Sequence, residues 1–326
     1  MILIFRQGNS DMETIKIGVS SCLLGKEVRY NGGHSLDRYV TDTLGRYFEF
    51  VAVCPEFEAG FGVPRETMRL VGSPEAPRLV TTKTGRDYTA RMLNWAKCRV
   101  VELEREDICG FIFKKGSPSS GMERVRIYTE KGHPSNRGAG LFARTFMEHF
   151  PLIPVEEDGR LNDPQLRENF IERIFAFRRW RQIASESKSR GKIVDFHTAH
   201  KLQIMSHSVK HYRELGRLVA HAKEYDNSLL YEKYEAMFMQ ALALKATVKK
   251  NVNVLQHMAG YFKRQLSKDE KQELLEIIDQ YHQEYVPLIV PITLFNHYIR
   301  KYGQQYLQKQ YYLHPHPIEL KLRNRV

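Results

Sequence analysis

Two short apolar runs, IKIGVSSC (15–22) and FEFVAVC (48–54), each end on a cysteine, and a helix-patterned stretch (37–47) lies between them. Strand, helix, strand in that order predicts a parallel pair, because parallel neighbours need a crossover connection. A helix over 86–104 follows, with Met92, Leu93, Ala96, Val100 and Leu103 at helical spacing. The apolar run GFIFK (110–114) then leads into the glycine-bounded loop SPSSG (117–121). A helix over 138–150 and a short strand LIPV (152–155) complete the pattern. The alternation predicts an α/β domain with a parallel, Rossmann-like sheet. Ligands of such sheets bind beyond the carboxyl ends of the strands. The loops carrying Cys22, Cys54 and Ser117 are therefore where a site is expected.

The second half has little strand signal. Amphipathic helical patterns cover 163–185, 196–224, 228–247, 250–264, 268–285 and 291–306. NDPQ (162–165) predicts a helix start, with Asp163 as cap and Pro164 in the first turn. SKDE (267–270) predicts a capping box from Ser267 and Glu270. An all-α helical bundle is expected over 159–326, after an α/β domain over 1–158, with the join in EEDGRLN (156–162).

Charge narrows the partners. The chain carries +12, and the stretch 178–223 alone holds 11 basic residues against 3 acidic ones. Such a run suits a phosphate backbone, and it equally suits a solvated helix face. The candidate RNA contacts are Arg178, Arg179, Arg181, Lys188, Arg190, Lys192, Lys201, Arg213, Lys249 and Lys250. Nothing in the pattern requires DNA. No apolar run approaches the ~20 residues of a membrane span. The start MILIFRQGNSDMET has no basic segment before its apolar residues, so a cytoplasmic location is expected. The four cysteines are too few for a disulfide framework in a chain this long and are expected as free thiols. His207 and His211, four apart, suit either a metal or a basic RNA-facing surface. The tail QKQYYLHPHPIELKLRNRV is expected as an arm on nucleic acid or a clasp on the first domain.

The motifs VSSCLLG (19–25), RYNGGH (29–34), VCPE (53–56), GVPRE (62–66), GRDYT (85–89) and SPSSG (117–121) resemble domain of unknown function 523, whose members with assigned activity are iron–sulfur-dependent thiouracil desulfidases. From ENFIERIF (168–175) through FHTAHKL (196–202), NVLQHMAGYFK (253–263) and HPIELKLRN (316–324) the chain resembles domain of unknown function 1722. Together the two are similar to the fused tRNA 4-thiouridine desulfidases. The resemblance implies a [4Fe–4S] cluster, tRNA as partner, and replacement of C=S by C=O on a pyrimidine without net redox change.

By the same resemblance, Cys22 and Cys54 are the first two cluster ligands. Glu56 and Ser117 are the carboxylate and hydroxyl of proton transfer. The third loop usually reads SPSCG in that family, and here Ser120 stands in the place of the third ligand. Serine oxygen is a hard donor and a poor ligand for such a cluster. Cys109 precedes the strand GFIFK, at its far end, and Cys98 lies within a helix. Arg29, Asn31, Gly32, His34, Arg65 and Lys114 are candidate substrate contacts. Plainer roles stay open: core thiols for the cysteines, a Glu56–Arg65 pair, a turn cap at Ser117, a tight turn at RYNGGH. Two alternatives to tRNA desulfidation stand beside it. One is an RNA-binding protein whose first domain has lost its cluster; the other is an enzyme acting on free thiouracil.

Overall fold

A computed structural model describes residues 14–129 and 131–325, and the reading of the extreme N-terminus lies outside them. The chain divides into two compact units, with the boundary between Gly159 and Arg160.

Among the described residues the first unit has the strands β1 (Ile15–Ser20), β2 (Phe48–Val53), β3 (Met68–Gly72), β4 (Pro77–Thr81), β5 (Phe111–Phe113), β6 (Val125–Tyr128), β7 (Pro134–Gly138) and β8 (Val155–Glu157). The helices α1 (Pro55–Glu58), α2 (Thr89–Arg105) and α3 (Leu141–His149) accompany them. One sheet has the order β2-β1-β5-β8 and is parallel throughout, as the crossover pattern predicts. The direction of winding reverses between β1 and β5, so their carboxyl ends flank a topological switch point. Close packing fixes this pair. A Cβ on Gly18 would lie 2.2 Å from the Phe111 ring, so only glycine fits there. Phe111 and Phe113 stack at 4.3 Å and meet Phe142 and Phe146 of α3.

The second sheet, β4-β3-β6-β7, is absent from the sequence expectations. Two hairpins, β3–β4 and β6–β7, join through parallel pairing of β3 with β6. Leu70, Leu79, Val125 and Ile127 from this sheet pack on Met92 of α2 and Leu141 of α3. The expected helix over 37–47 is shorter than its pattern: one wide turn at Tyr39–Thr43 and one tight turn at Leu44–Arg46.

The second unit is helical: α4 (Pro164–Ser185), α5 (Arg190–His207), α6 (Val209–Ala220), α7 (Asn227–Ala243), α8 (Val248–Ala259), α9 (Lys268–His282), α10 (Ile289–Tyr302) and α11 (Gln305–Gln308). Asp163 caps α4 through the Gln165 and Leu166 amides, and Ser267 with Glu270 forms the capping box of α9. The pattern over 196–224 breaks at Ser208. Its extended backbone ends α5, and its hydroxyl accepts the His211 amide to start α6. Trp180, Phe196, Tyr234 and Phe238 pack together in one aromatic group of the core. The C-terminal tail is bound within its own unit. Arg323 and Arg325 bind Glu168 of α4 at 3.2 and 2.7 Å. No helix among the described residues is long and apolar enough to cross a membrane.

Candidate functional site

A cavity of ≈ 260 Å³ opens at the carboxyl ends of β1, β2 and β5, lined among others by Cys22, Cys54, Glu56, Arg65, Ser117 and Ser120. Each lies in the segment of chain that follows a strand of the parallel sheet. Cys22 lies in the tight turn Ser21–Leu24 directly after β1, closed by Gly25 at φ +84°. Cys54 ends β2 and leads into α1, where Pro55 starts the helix and the Glu58 carboxylate accepts the Cys54 amide at 2.7 Å.

Glu56 is held from three sides. The Ser119 hydroxyl donates to its Oε1 at 2.6 Å and the Ser117 hydroxyl at 3.3 Å. Arg65 Nη2 stands 3.9 Å from Oε2, and Cys54 Sγ lies 3.9 Å from the same oxygen. Ser117 and Ser119 also bond to each other at 3.0 Å. Arg65 is itself fixed by the carbonyls of Val28 and Gly62, both at 3.0 Å. The Glu56–Arg65 pairing therefore exists and is part of the cavity wall.

Both thiols are pushed toward the protonated form. Burial is the first cause at Cys54, and the nearby Glu56 charge adds to it, raising the thiol to about 12. Burial likewise raises Cys22, against the opposing pull of Lys114. A thiol in this state becomes a ligand only by releasing its proton to a base or to solvent as a metal binds.

The loop 117–121 is locked against α3. Leu141 and Ala143 donate their amides to the Pro118 and Ser119 carbonyls. A Cβ on Gly140 would sit 2.5 Å from the Ser119 carbonyl carbon, so the helix start presses directly on the loop. The Ser120 amide bonds to the Ser117 hydroxyl at 3.1 Å, while its own hydroxyl has no partner among the described residues.

Several expected contacts have other work. Asn31 accepts the Gly33 amide, Gly32 takes φ +79° and bonds back to Arg29, and His34 accepts the Leu36 amide. These three shape a turn and do not line the cavity; Arg29 and Tyr30 do. Lys114 lines it, but its ammonium is paired with Asp158. Tyr30, and the role of Ser119 on Glu56, were missed. Ser119 sits in SPSSG with nothing to distinguish it from its neighbours, and Tyr30 reads as one more turn residue.

In the second unit, part of the basic run is committed internally. Arg179 is half-buried, stacks on Tyr311 and donates to the Pro315 carbonyl. Arg190 holds the Ala222 and Tyr225 carbonyls, Lys192 pairs with Glu186, and Lys250 binds the His207 and Lys245 carbonyls. Lys188, Arg213 and Lys249 are exposed, while Arg178, Arg181 and Lys201 are half-buried. His207 is buried against Glu172 and His211 bonds to Ser208, so the two do not form a metal pair.

The donor set around the cavity does not fit a cluster that needs three thiolates. Cys22 and Cys54 are present. Cys109 is buried with its amide on the Lys16 carbonyl, at the opposite end of β1, and Cys98 is exposed on α2. Among the described residues no group of three or more His, Cys, Asp or Glu is placed to hold a metal ion.

The model of the 2-thiouracil desulfurase family matches residues 17–158, and that of the family described as protein of unknown function DUF1722 matches residues 201–317. YbgA of Escherichia coli is 30% identical over 165 residues, which cover 50% of this chain and 98% of that protein. YbbK of Bacillus subtilis is 32% identical over 150 residues, covering 44% of this chain and 97% of that protein. A solved structure described as the [4Fe-4S]-dependent thiouracil desulfidase TudS is 31% identical, covers 46% of this chain and 94% of its own, and has a TM-score of 0.38.

Proposed function

The chain belongs to the 2-thiouracil desulfurase family through its first unit and to the DUF1722 family through its second, and from that premise we propose that it removes sulfur from a thiolated uridine in tRNA, 4-thiouridine being the expected base. One observation carries the reading. The Glu56 carboxylate is oriented by Ser117, Ser119 and Arg65, in a cavity that also holds two thiols, where a parallel sheet binds its ligands.

The reaction replaces sulfur by oxygen. Water adds to the thiocarbonyl carbon, the carbon–sulfur bond breaks, and hydrosulfide leaves; C=S and H₂O become C=O and H₂S. Glu56 takes the proton from the attacking water. Ser117, hydrogen-bonded to Glu56, passes it toward the ring nitrogen or the departing sulfur. Arg65 keeps the carboxylate in place between proton transfers. The thiols of Cys22 and Cys54, protonated when metal-free, face the sulfur. Every step uses this chain's own side chains.

A base in folded tRNA must leave its stack to reach such a cavity. The exposed cations Lys188, Arg213 and Lys249 of the second unit suit contact with the phosphate backbone, which makes binding strongly salt-dependent. The test is incubation of the purified chain with tRNA containing 4-thiouridine. The expected result is loss of the thiocarbonyl's near-ultraviolet absorption with release of one equivalent of hydrosulfide. Turnover of free thiouracil with tRNA ignored would reassign the substrate.

A second reading is favoured by one residue. Ser120 removes a soft donor from the cavity, which suits a protein that binds thiolated RNA and leaves its sulfur in place. Binding of tRNA at low salt with no hydrosulfide released would select it.

A further inference from the structure

A [4Fe–4S] cluster is held by cysteine thiolates, since soft sulfur donors match iron in clusters and a serine hydroxyl is hard and seldom ionised. Around this cavity the thiols that could supply such donors number two, Cys22 and Cys54. The carboxylate and the ammonium beside them are committed. Glu56 is taken by Ser117, Ser119 and Arg65, and Lys114 by Asp158.

Ser120 differs from its neighbours in the loop. It is 3% exposed, it lines the cavity, and its hydroxyl bonds to no described residue. Its backbone has little freedom. Its amide is tied to Ser117 Oγ at 3.1 Å. A Cβ on Gly121 would fall 2.3 Å from Val125, and one on Gly140 would fall 2.9 Å from the Ser120 nitrogen, so packed glycines hold both sides. Ser119 is equally buried, yet its hydroxyl is spent on Glu56.

We infer that this cavity is a cluster site one thiolate short, with position 120 the vacant ligand position. The chain as it stands holds no stoichiometric [4Fe–4S] cluster, and Ser120→Cys creates one. The substitution exchanges oxygen for sulfur on an immobilised Cβ, so it adds the missing soft donor without rebuilding the loop. The inference concerns ligands and needs no turnover. It bears on the proposed desulfidation only by making the native reaction independent of iron.

The experiment is anaerobic reconstitution of the full chain with ferrous iron and sulfide, followed by desalting and measurement of both elements and of the visible charge-transfer absorption. Wild type is expected to retain well under one iron per chain. Ser120→Cys is expected to retain about four irons and four sulfides, the content of one cluster, and to lose them again when Cys22→Ala is added. Ser119→Cys, with a thiol one position away facing Glu56, is expected to stay at the wild-type level. About four irons in wild type, lost in Cys22→Ala, would overturn the inference while leaving desulfidation intact. A folded Ser120→Cys protein without iron, judged by an unchanged far-ultraviolet spectrum, would also overturn it. Conversely, a wild type free of iron that releases no hydrosulfide would remove the proposed function and leave the inference standing.

Discussion

Each unit surrounds a carboxylate with partners, and the two arrangements serve opposite ends. In the first, Glu56 meets hydroxyls and Arg65 at the wall of an open cavity, beside two thiols that bond to little else. In the second, Glu172 is buried with Gln203 at 2.7 Å and His207 at 3.4 Å, near Glu168 clamped by Arg323 and Arg325. Those charges neutralise one another and tie the C-terminal segment to α4. A buried carboxylate is therefore no sign of chemistry by itself. Both sets line cavities, the second of ≈ 400 Å³; what separates them is that two thiols stand beside Glu56, while Glu168 and Glu172 are paired with cationic side chains of their own unit.

The sharpest way to break the comparison is to neutralise each carboxylate in turn. Glu56→Gln keeps size and shape, and is expected to lower desulfidation by about 10²–10⁴-fold, the range of general acid–base catalysis. Its unfolding midpoint should barely move. Should the midpoint collapse with activity, Glu56 would be a structural anchor like Glu168. Arg323→Met inverts the outcome. Removing one partner leaves the Glu168 charge with Arg325 alone, and the expected loss is below the ~3–5 kcal/mol of a fully unpaired buried charge, read by denaturant unfolding, with activity per folded molecule preserved.

The residues that made the site legible in sequence are those whose signal is local. Cys22 and Cys54 end apolar runs, and a parallel sheet turns strand ends into a site. Asp163 and Ser267 announce helix starts through their own side chains. The second sheet was invisible for the opposite reason. β3 pairs with β6 across more than fifty residues of chain, and strands this short carry too few residues for an alternation to register. RYNGGH misled because a glycine pair serves a tight turn as readily as a substrate loop; its turn delivers Arg29 and Tyr30 to the cavity, while Asn31 and His34 serve the turn itself. Charge counting had the same blindness. It weighs Arg179 and Arg213 equally, although one is locked on Tyr311 and a carbonyl and the other is exposed.

Acid sharpens the contrast by a smaller amount. Burial works against ionised Glu172, but the charge of His207, then Arg323 and Gln203, outweighs it and holds the carboxyl below the usual range. A carboxyl depressed in the folded state contributes stability above its unfolded value, about 4.3, and loses it as pH falls toward the folded value. The stability gap between wild type and Glu172→Gln should thus be widest above about pH 4.3 and narrow below it. A gap that stays constant through the acid range would mean that the Glu172 charge is not what the cluster stabilises.

The smallest effects come from two adjacent lysines, and they separate the two kinds of commitment most cleanly. Lys250 donates to the His207 and Lys245 carbonyls at 2.7 Å each, closing the loop before α8 over the end of α5. Partial burial lowers its pKa, consistent with an ammonium turned toward the protein. Lys249 is exposed beside it. Lys250→Ala should cost stability, about 1.5–3 kcal/mol for a charged donor lost from buried acceptors and less in proportion to their exposure, while leaving the salt dependence of tRNA binding nearly unchanged. Lys249→Ala should leave unfolding unchanged and reduce the slope of log affinity against log salt by about 0.7–0.9, one phosphate contact's worth. Measured side by side, the pair asks whether a basic helix belongs to the RNA or to the fold. If Lys249→Ala leaves the slope intact, this face is solvated surface, and the RNA interface must be sought among Lys188 and Arg213 instead.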